Sequence, residues 1–158
     1  MTDKLPVSPR GTRGRRVTTF FFKLLSPLAG VQISRYRKNP EPQKMNGVPL
    51  VLLTTVGTKT GHERTSVLGG FEEANGDWLV VGSKGGSISH PAWFVNLANN
   101  PDKVWLEVGQ RKFRVEPQLL KGDQYEEAYQ RVVKDSPQYA SYRKVTDREI
   151  PVVRLKPV

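Results

Sequence analysis

Residues Pro49-Leu-Val-Leu-Leu-Thr-Thr-Val56, followed at once by Gly57-Thr-Lys-Thr-Gly-His-Glu-Arg64, decide how the rest of this chain is read. A β-branched, apolar run of this length, stopped by glycine, is the pattern of a buried strand. Glycine lets the backbone turn back and brings its N–H groups close to a ligand. Lys59 is a point charge and Arg64 a planar fork, and both suit phosphate or carboxylate. The spacing therefore predicts a strand end that presents an anion site over Thr58, Lys59, Thr60, Gly61 and Arg64. An ordinary solvated turn is the competing reading. It is not a Walker loop, because no lysine follows Gly61.

Outward from that strand, alternation and turn signals continue. Residues 65–74 read as the next strand, with Gly69-Gly70 marking a bulge or a close backbone approach. Asn75-Gly76 is a hairpin signal, and residues 78–82 are the return strand. Residues 91–99 read as a short helix with Pro91 in its first turn. Residues 104–108 and 112–119 form a second hairpin across Gly109-Gln110. Residues 123–134 read as a helix, with Asp123 and Glu126 at capping-box spacing. Residues 150–156 are a last strand. About six strands, hairpin connections and few helices give a mainly β fold, a small antiparallel barrel over residues 48–158.

The residues ahead of the barrel differ in character. The net charge is +10, of which +8 falls on residues 1–48 and only +2 on the remainder. Residues 1–16 carry prolines, glycines and scattered charge and read as a disordered basic arm. Val17, Phe20, Phe21, Leu24, Leu25 and Leu28 recur at helical spacing, with Pro27 as the expected stop. That helix either packs on the domain or lies on an anionic membrane surface, helped by Arg13, Arg15, Arg16 and Lys23. Residues 38–47 read as a loop. No run approaches the roughly 20 apolar residues of a membrane span, and no signal-peptide cleavage site follows Leu28. The expected location is cytoplasmic, peripheral at the inner face of the membrane if the helix meets lipid.

Composition removes several chemistries. The chain of 158 residues suits one core. It has no cysteine, which excludes disulfides, thiolate metal sites and cysteine nucleophiles. His62 and His90 are the only histidines and neither sits in a ligand pattern, so no metal is expected. No Ser-His-Asp arrangement or carboxylate pair is visible. A protein without reactive groups of its own catalyses through a bound cofactor. Nucleic acid is a weak alternative partner, because the charge lies in the arm and the body has no recognised motif.

Two further clusters stand out. Gly82-Ser83-Lys84-Gly85-Gly86 ends another strand, with a hydroxyl and an ammonium beside glycines that allow close approach to a flat ligand. The helix opening after Pro91 adds free N–H groups and a positive dipole end. Ser136-Pro-Gln-Tyr-Ala-Ser-Tyr142 places Tyr139 and Tyr142 three apart, on one helical face. Tyr125 and Tyr129 fit an apolar stripe with Ala128, Val132 and Val133 and are assigned to packing. Trp93, Phe94 and Leu97 face the core or a ligand ring, with the core favoured for at least two of them.

Taken in order, residues 52–64, Gly-Ser-Lys-Gly-Gly (82–86), His-Pro-Ala-Trp-Phe-Val-Asn-Leu (90–97), Asn-Pro-Asp-Lys-Val (100–104) and Thr-Asp-Arg-Glu-Ile-Pro-Val (146–152) resemble the deazaflavin-dependent nitroreductase family. The resemblance covers about residues 35–158. It implies a split β-barrel that binds coenzyme F420 and an oxidoreductase that passes hydride to a quinone, enone or nitroaromatic. It also implies roles. Lys59 and Arg64, with the backbone of Thr58 to Gly61, would hold the phosphate and acidic tail. Ser66, Val67 and Leu68 would border the deazaflavin ring, and Val81, Gly82, Ser83 and Lys84 would line its other edge. Ala92, Trp93, Phe94, Val95 and Asn96 would close the pocket. Ser83, Tyr139 and Tyr142 would border the substrate as the catalytic hydroxyls. The family often carries tyrosine where this chain has Ser136 and tryptophan where it has Val145. Alternatives of the same fold are an FMN-dependent oxidoreductase and a non-catalytic F420 carrier. Monomer and dimer are both open.

Overall fold

The computed structural model describes residues 3–15 and 26–158. In chain order these form α1 (Ser26–Lys38), β1 (Lys44–Met45), β2 (Val48–Val56), β3 (Glu63–Gly69), β4 (Phe71–Glu72), β5 (Trp78–Val81), a 3-10 turn (Lys84–Gly86), α2 (Ala92–Asn99), β6 (Trp105–Val108), β7 (Arg111–Leu119), α3 (Gly122–Asp135), α4 (Gln138–Val145) and β8 (Val152–Pro157). The strands make one antiparallel sheet in the order β1-β2-β6-β7-β8-β5-β4, with β3 on the other side of β2. The sheet curls into a split barrel.

The strand count exceeds the expected six because two short strands were not separable in sequence. β1 is two residues that bridge to the start of β2. β4 arises because residues 65–74 do not run straight. A Cβ on Gly70 would lie 2.8 Å from Val51 Cγ1 and 3.1 Å from Trp78 Cε3, so only glycine fits. There the chain leaves its partner β2 and joins β5 instead. This corner carries the chain across the split. The Asn75-Gly76 hairpin forms as read: Gly76 has φ 89° and the Asn75 carboxamide accepts from the Asp77 amide.

Alternation places the core on both faces of β5. Val80 faces the barrel interior with Val51, Leu53, Trp93, Phe94, Leu106 and Leu155. Leu79 and Val81 face outward and are covered by Tyr129, Ala128 and Val132 of α3 and by Ile150. The stripe of α3 is where it was expected, and Tyr129 is buried as a packing residue. Its capping box is absent. Lys121 is the N-cap and makes no side-chain cap bond, while Glu126 turns to Arg143.

Pro27 lies within α1 (Ser26–Lys38) instead of ending a helix. The expected stripe from Val17 to Leu25 lies outside the described residues. α1 is fastened to the sheet by Tyr36, whose hydroxyl donates to Leu50 O at 2.8 Å and accepts from the Gly109 amide at 2.9 Å. Beside it the Arg37 guanidinium meets the nearly buried Glu107 carboxylate in two parallel bonds of 2.9 and 2.8 Å.

The arm also departs from its reading. Residues 3–15 lie along the body. Leu5 N donates to Ala98 O, Gly11 N to Ile88 O and Arg15 N to Gly86 O. The Asp147 carboxylate accepts from the Thr12 hydroxyl and from the Thr12 and Arg13 amides. These bonds hold the Asp147 carboxyl down at about 2. Local composition argued for disorder, but the partners lie some 70 to 135 residues away in sequence, where local pattern carries no signal.

Candidate functional site

The expected residues gather around β3 and the two glycine-containing loops. Gly57 and Gly61 close a tight turn after β2: Gly61 N donates to Gly57 O at 2.9 Å, Gly57 N to His62 O at 2.8 Å, and Gly61 has φ 71°. Asn96 of α2 holds this turn from the side, its Oδ1 accepting from the Thr58 amide and hydroxyl at 3.2 Å each. Thr60 Oγ1 accepts from the His62 amide. Lys59 and Arg64 project exposed from either end of this turn. Among the described residues neither has a carboxylate partner.

Register settles which β3 side chains face the barrel interior. Arg64 pairs with Thr55, Ser66 with Leu53 and Leu68 with Val51. These three lie on the interior face, and Leu68 packs against the interior core. Val67 pairs with Leu52, so its side chain stands on the opposite face. The outer edge of β3 has no strand partner among the described residues, because the chain switches sheets at Gly70.

α2 divides its residues by helical period. Trp93 and Phe94, 6% and 1% exposed, point into the core with Leu97 and Ala98. Burying such rings contributes about 2–3 kcal/mol each, which would be forfeited by turning them to a groove. They are therefore packing residues. Ala92 is exposed, and Val95 and Asn96 are half-buried. Pro91 sits one position earlier than expected, as the cap.

Val81, Gly82 and Ser83 are buried. A Cβ on Gly82 would strike Pro151 at 2.6 Å. Lys84 has φ 44°, unusual for a residue with a side chain, and Gly85 and Gly86 follow at 61° and 81°. Lys84 Nζ donates to Ser89 Oγ at 3.1 Å. Burial, helped by the Arg148 charge, pushes the Lys84 ammonium below its usual range.

The tyrosine segment lies against this loop. A Cβ on Gly86 would touch Val145 at 3.2 Å and the Tyr142 carbonyl at 3.5 Å. Tyr139 packs edge-on to Phe71 at 5.7 Å and to Tyr142 at 5.3 Å. Its hydroxyl reaches within 3.4 Å of where a Gly69 Cβ would stand. Burial, then the neighbouring Tyr142, raises the Tyr139 hydroxyl to about 12. Tyr139 is thus a neutral donor at physiological pH. The structure places Tyr139, with Tyr142 against it, at the Gly69 end of β3, and Lys59 and Arg64 at the other end.

One residue of the site was missed. Arg148 is 4% exposed and has no carboxylate partner among the described residues. Its Nε donates to Ser87 O at 3.0 Å, Nη1 to Gly82 O at 3.1 Å and Nη2 to Ser83 O at 3.0 Å. Nη1 also reaches His90 Nδ1 and Glu149 O. The Thr-Asp-Arg-Glu-Ile-Pro-Val motif contained it, but its partners lie 58 to 66 residues upstream.

An anionic, flat, ring-bearing coenzyme fits this arrangement. Lys59 and Arg64, without carboxylate partners among the described residues, match a phosphate and acidic tail, and Ser66 is a small side chain on the interior face of β3 between Arg64 and Leu68. Comparison with known proteins is specific. The family model for F420H(2)-dependent quinone reductase matches residues 29–157. An F420H(2)-dependent quinone reductase of Mycobacterium tuberculosis is 37% identical over 110 residues, which span 68% of this chain and 72% of that protein. Among solved structures, an F420-H2 dependent reductase is 37% identical with a TM-score of 0.61, covering 68% of this chain and 93% of its own. A protein described as a domain-swapped dimer is 32% identical with a TM-score of 0.64, covering 83% and 98%. The chain belongs to the F420H(2)-dependent quinone reductase family.

Proposed function

We propose that this protein passes hydride from reduced coenzyme F420 to a quinone, with Lys59 and Arg64 as the anchor for the coenzyme's anionic tail. The observation that carries this reading is the pair of cations without carboxylate partners among the described residues, set where β2 ends and β3 begins. Bound in the cleft, the reduced deazaflavin supplies hydride from its central ring carbon. The chain's own residues bind, orient and donate. Ser66, Leu68 and the β3 backbone offer a surface for the ring, while Ala92, Val95 and Asn96 border it from α2. Hydride transfer requires the reacting atoms to be held about 3–3.5 Å apart, a task of positioning. Negative charge then appears on the acceptor oxygen. Tyr139, kept protonated by burial, is the donor suited to it, with Ser83 and Tyr142 beside it.

Enones and nitroaromatics share the electron-poor character of a quinone and are further acceptors of the same reading. Contact of residues 17–28 with anionic lipid is a separate part of the proposal, tested by flotation with anionic vesicles. A dimer is tested by light scattering.

The deciding experiment titrates the purified protein with oxidised F420 and with FMN, then adds menadione to the F420H2-loaded protein. Tight F420 binding and menadione-dependent oxidation are expected. Preference for FMN would replace the coenzyme, and binding without turnover would make the protein a carrier.

A further inference from the structure

The loop Gly82–Ile88 has its carbonyls claimed from two sides. From within, Arg148 takes Gly82 O, Ser83 O and Ser87 O. From outside, the arm takes Gly86 O and Ile88 O through the Arg15 and Gly11 amides. Peptide geometry then constrains the other half of each unit. All the described peptides are trans, and in a trans peptide the C=O and the following N–H point in opposite directions. With Gly82 O and Ser83 O turned to Arg148, the N–H groups of Ser83 and Lys84 must point away from it. No described residue accepts from the amides of Ser83, Lys84 or Gly85. Ser83 is right-handed helical (φ −73°) and Lys84 left-handed (φ 44°), the pairing that turns successive N–H groups to one concave side. Arg148 itself cannot be there as an ion-pair partner. A buried guanidinium without a carboxylate is costly and persists when its donors are satisfied.

We infer that Arg148 is a positioning residue that aims the Ser83 and Lys84 amides as a paired donor for a ligand carbonyl oxygen in the cleft. The inference rests on the proposed F420-dependent reductase reading for the identity of that ligand. The carbonyl belongs either to the coenzyme's ring or to the quinone. Arg148 touches neither and acts through the loop. An ammonium in its place lacks the fork that spans three carbonyls, so lysine is not an equivalent.

The test compares wild type with Arg148→Lys and Arg148→Ala. Hydrogen exchange at the Gly86 and Ser87 amides, which donate to Ser83 O and Lys84 O, reports the loop directly. Faster exchange there in folded Arg148→Lys is expected. F420 affinity and steady-state menadione reduction report the donor pair. A loss of about tenfold or more in kcat/KM for menadione with unchanged F420 affinity assigns the pair to the quinone. A comparable loss of F420 affinity with unchanged menadione KM assigns it to the coenzyme. Millimolar guanidinium should restore part of whichever function Arg148→Ala loses. Unchanged exchange, or faster exchange with neither binding nor turnover altered, overturns the inference. So does an Arg148→Lys chain that fails to fold, because Arg148 would then hold the whole body. If wild type neither binds F420 nor oxidises F420H2, the proposed function fails, and the exchange comparison alone decides whether Arg148 sets the loop.

Discussion

Nη1 of Arg148 lies 3.1 Å from Nδ1 of His90. A guanidinium only donates, so that imidazole nitrogen must accept. The ring proton therefore sits on Nε2, which donates to Ser8 O at 2.8 Å. One histidine thus joins the buried arginine to the arm. Burial lowers the His90 pKa; Ser8 opposes that shift, Arg148 adds to it and the exposed Glu149 opposes it. Because the folded value lies below the ordinary 6.5, the unfolded chain takes up the proton first as pH falls. His90 thus contributes stability above pH 6.5 that is lost as pH drops through the lowered folded value. Between pH 8 and pH 5 the melting temperature of wild type should fall more than that of His90→Gln. Parallel curves for the two proteins would remove His90 from the linkage.

Lys59 and Arg64 are each placed to give a charge-assisted bond to the coenzyme. Removing both in Lys59→Ala/Arg64→Ala should weaken F420 binding by roughly 30- to 1,000-fold, at about 1–2 kcal/mol per bond. Wild-type affinity should also fall with added salt, since both groups are exposed. Calorimetric titration at two ionic strengths checks both statements, and an unchanged affinity in the double variant would contradict the anchor.

Tyr139→Phe should lower menadione turnover by about tenfold or more while leaving F420 affinity within a factor of about three. With its hydroxyl raised to about 12, Tyr139 stays protonated across the usual assay range. The turnover profile should therefore carry no tyrosine inflection below pH 10. Equal turnover of wild type and Tyr139→Phe with several quinones would take Tyr139 out of the mechanism.

Gly69→Ala tests the space in front of that hydroxyl. The new methyl would stand 3.1 Å from Val48 Cγ1 and 3.4 Å from the Tyr139 oxygen. Val48 is buried and must give by a few tenths of an ångström, so the melting temperature should fall by only a few degrees. Menadione kcat should fall with it, because the methyl crowds the donor. A variant with wild-type kcat would place the acceptor elsewhere.

Most of the barrel was legible because its signals are local. The apolar run into Gly57, the Asn75-Gly76 turn and the stripe of Tyr125, Ala128, Tyr129 and Val132 each state their own structure within a dozen residues. The Gly69-Gly70 pair was recognised as a point of close approach, but the change of strand partner at Gly70 depends on Val51 and Trp78. The family resemblance set Trp93 and Phe94 at the pocket, while the residues themselves favoured the core for at least two of Trp93, Phe94 and Leu97, and helical period turns all three inward. Val67 was grouped with Ser66 and Leu68, whereas strand alternation separates it from both. The long-range bonds of Arg148, His90 and Asp147 have no local pattern at all, which is why the arm read as disordered.

The docking of residues 3–15 on Gly86–Ile88 and Lys144–Asp147 also sets an order of events during synthesis. Residues 12 and 13 precede their seat on Lys144–Asp147 by some 130 residues, so that contact forms only after β2 to β7 have been made. Removing residues 3–15 would then leave a barrel whose Gly82–Ile88 wall is braced only from the inside.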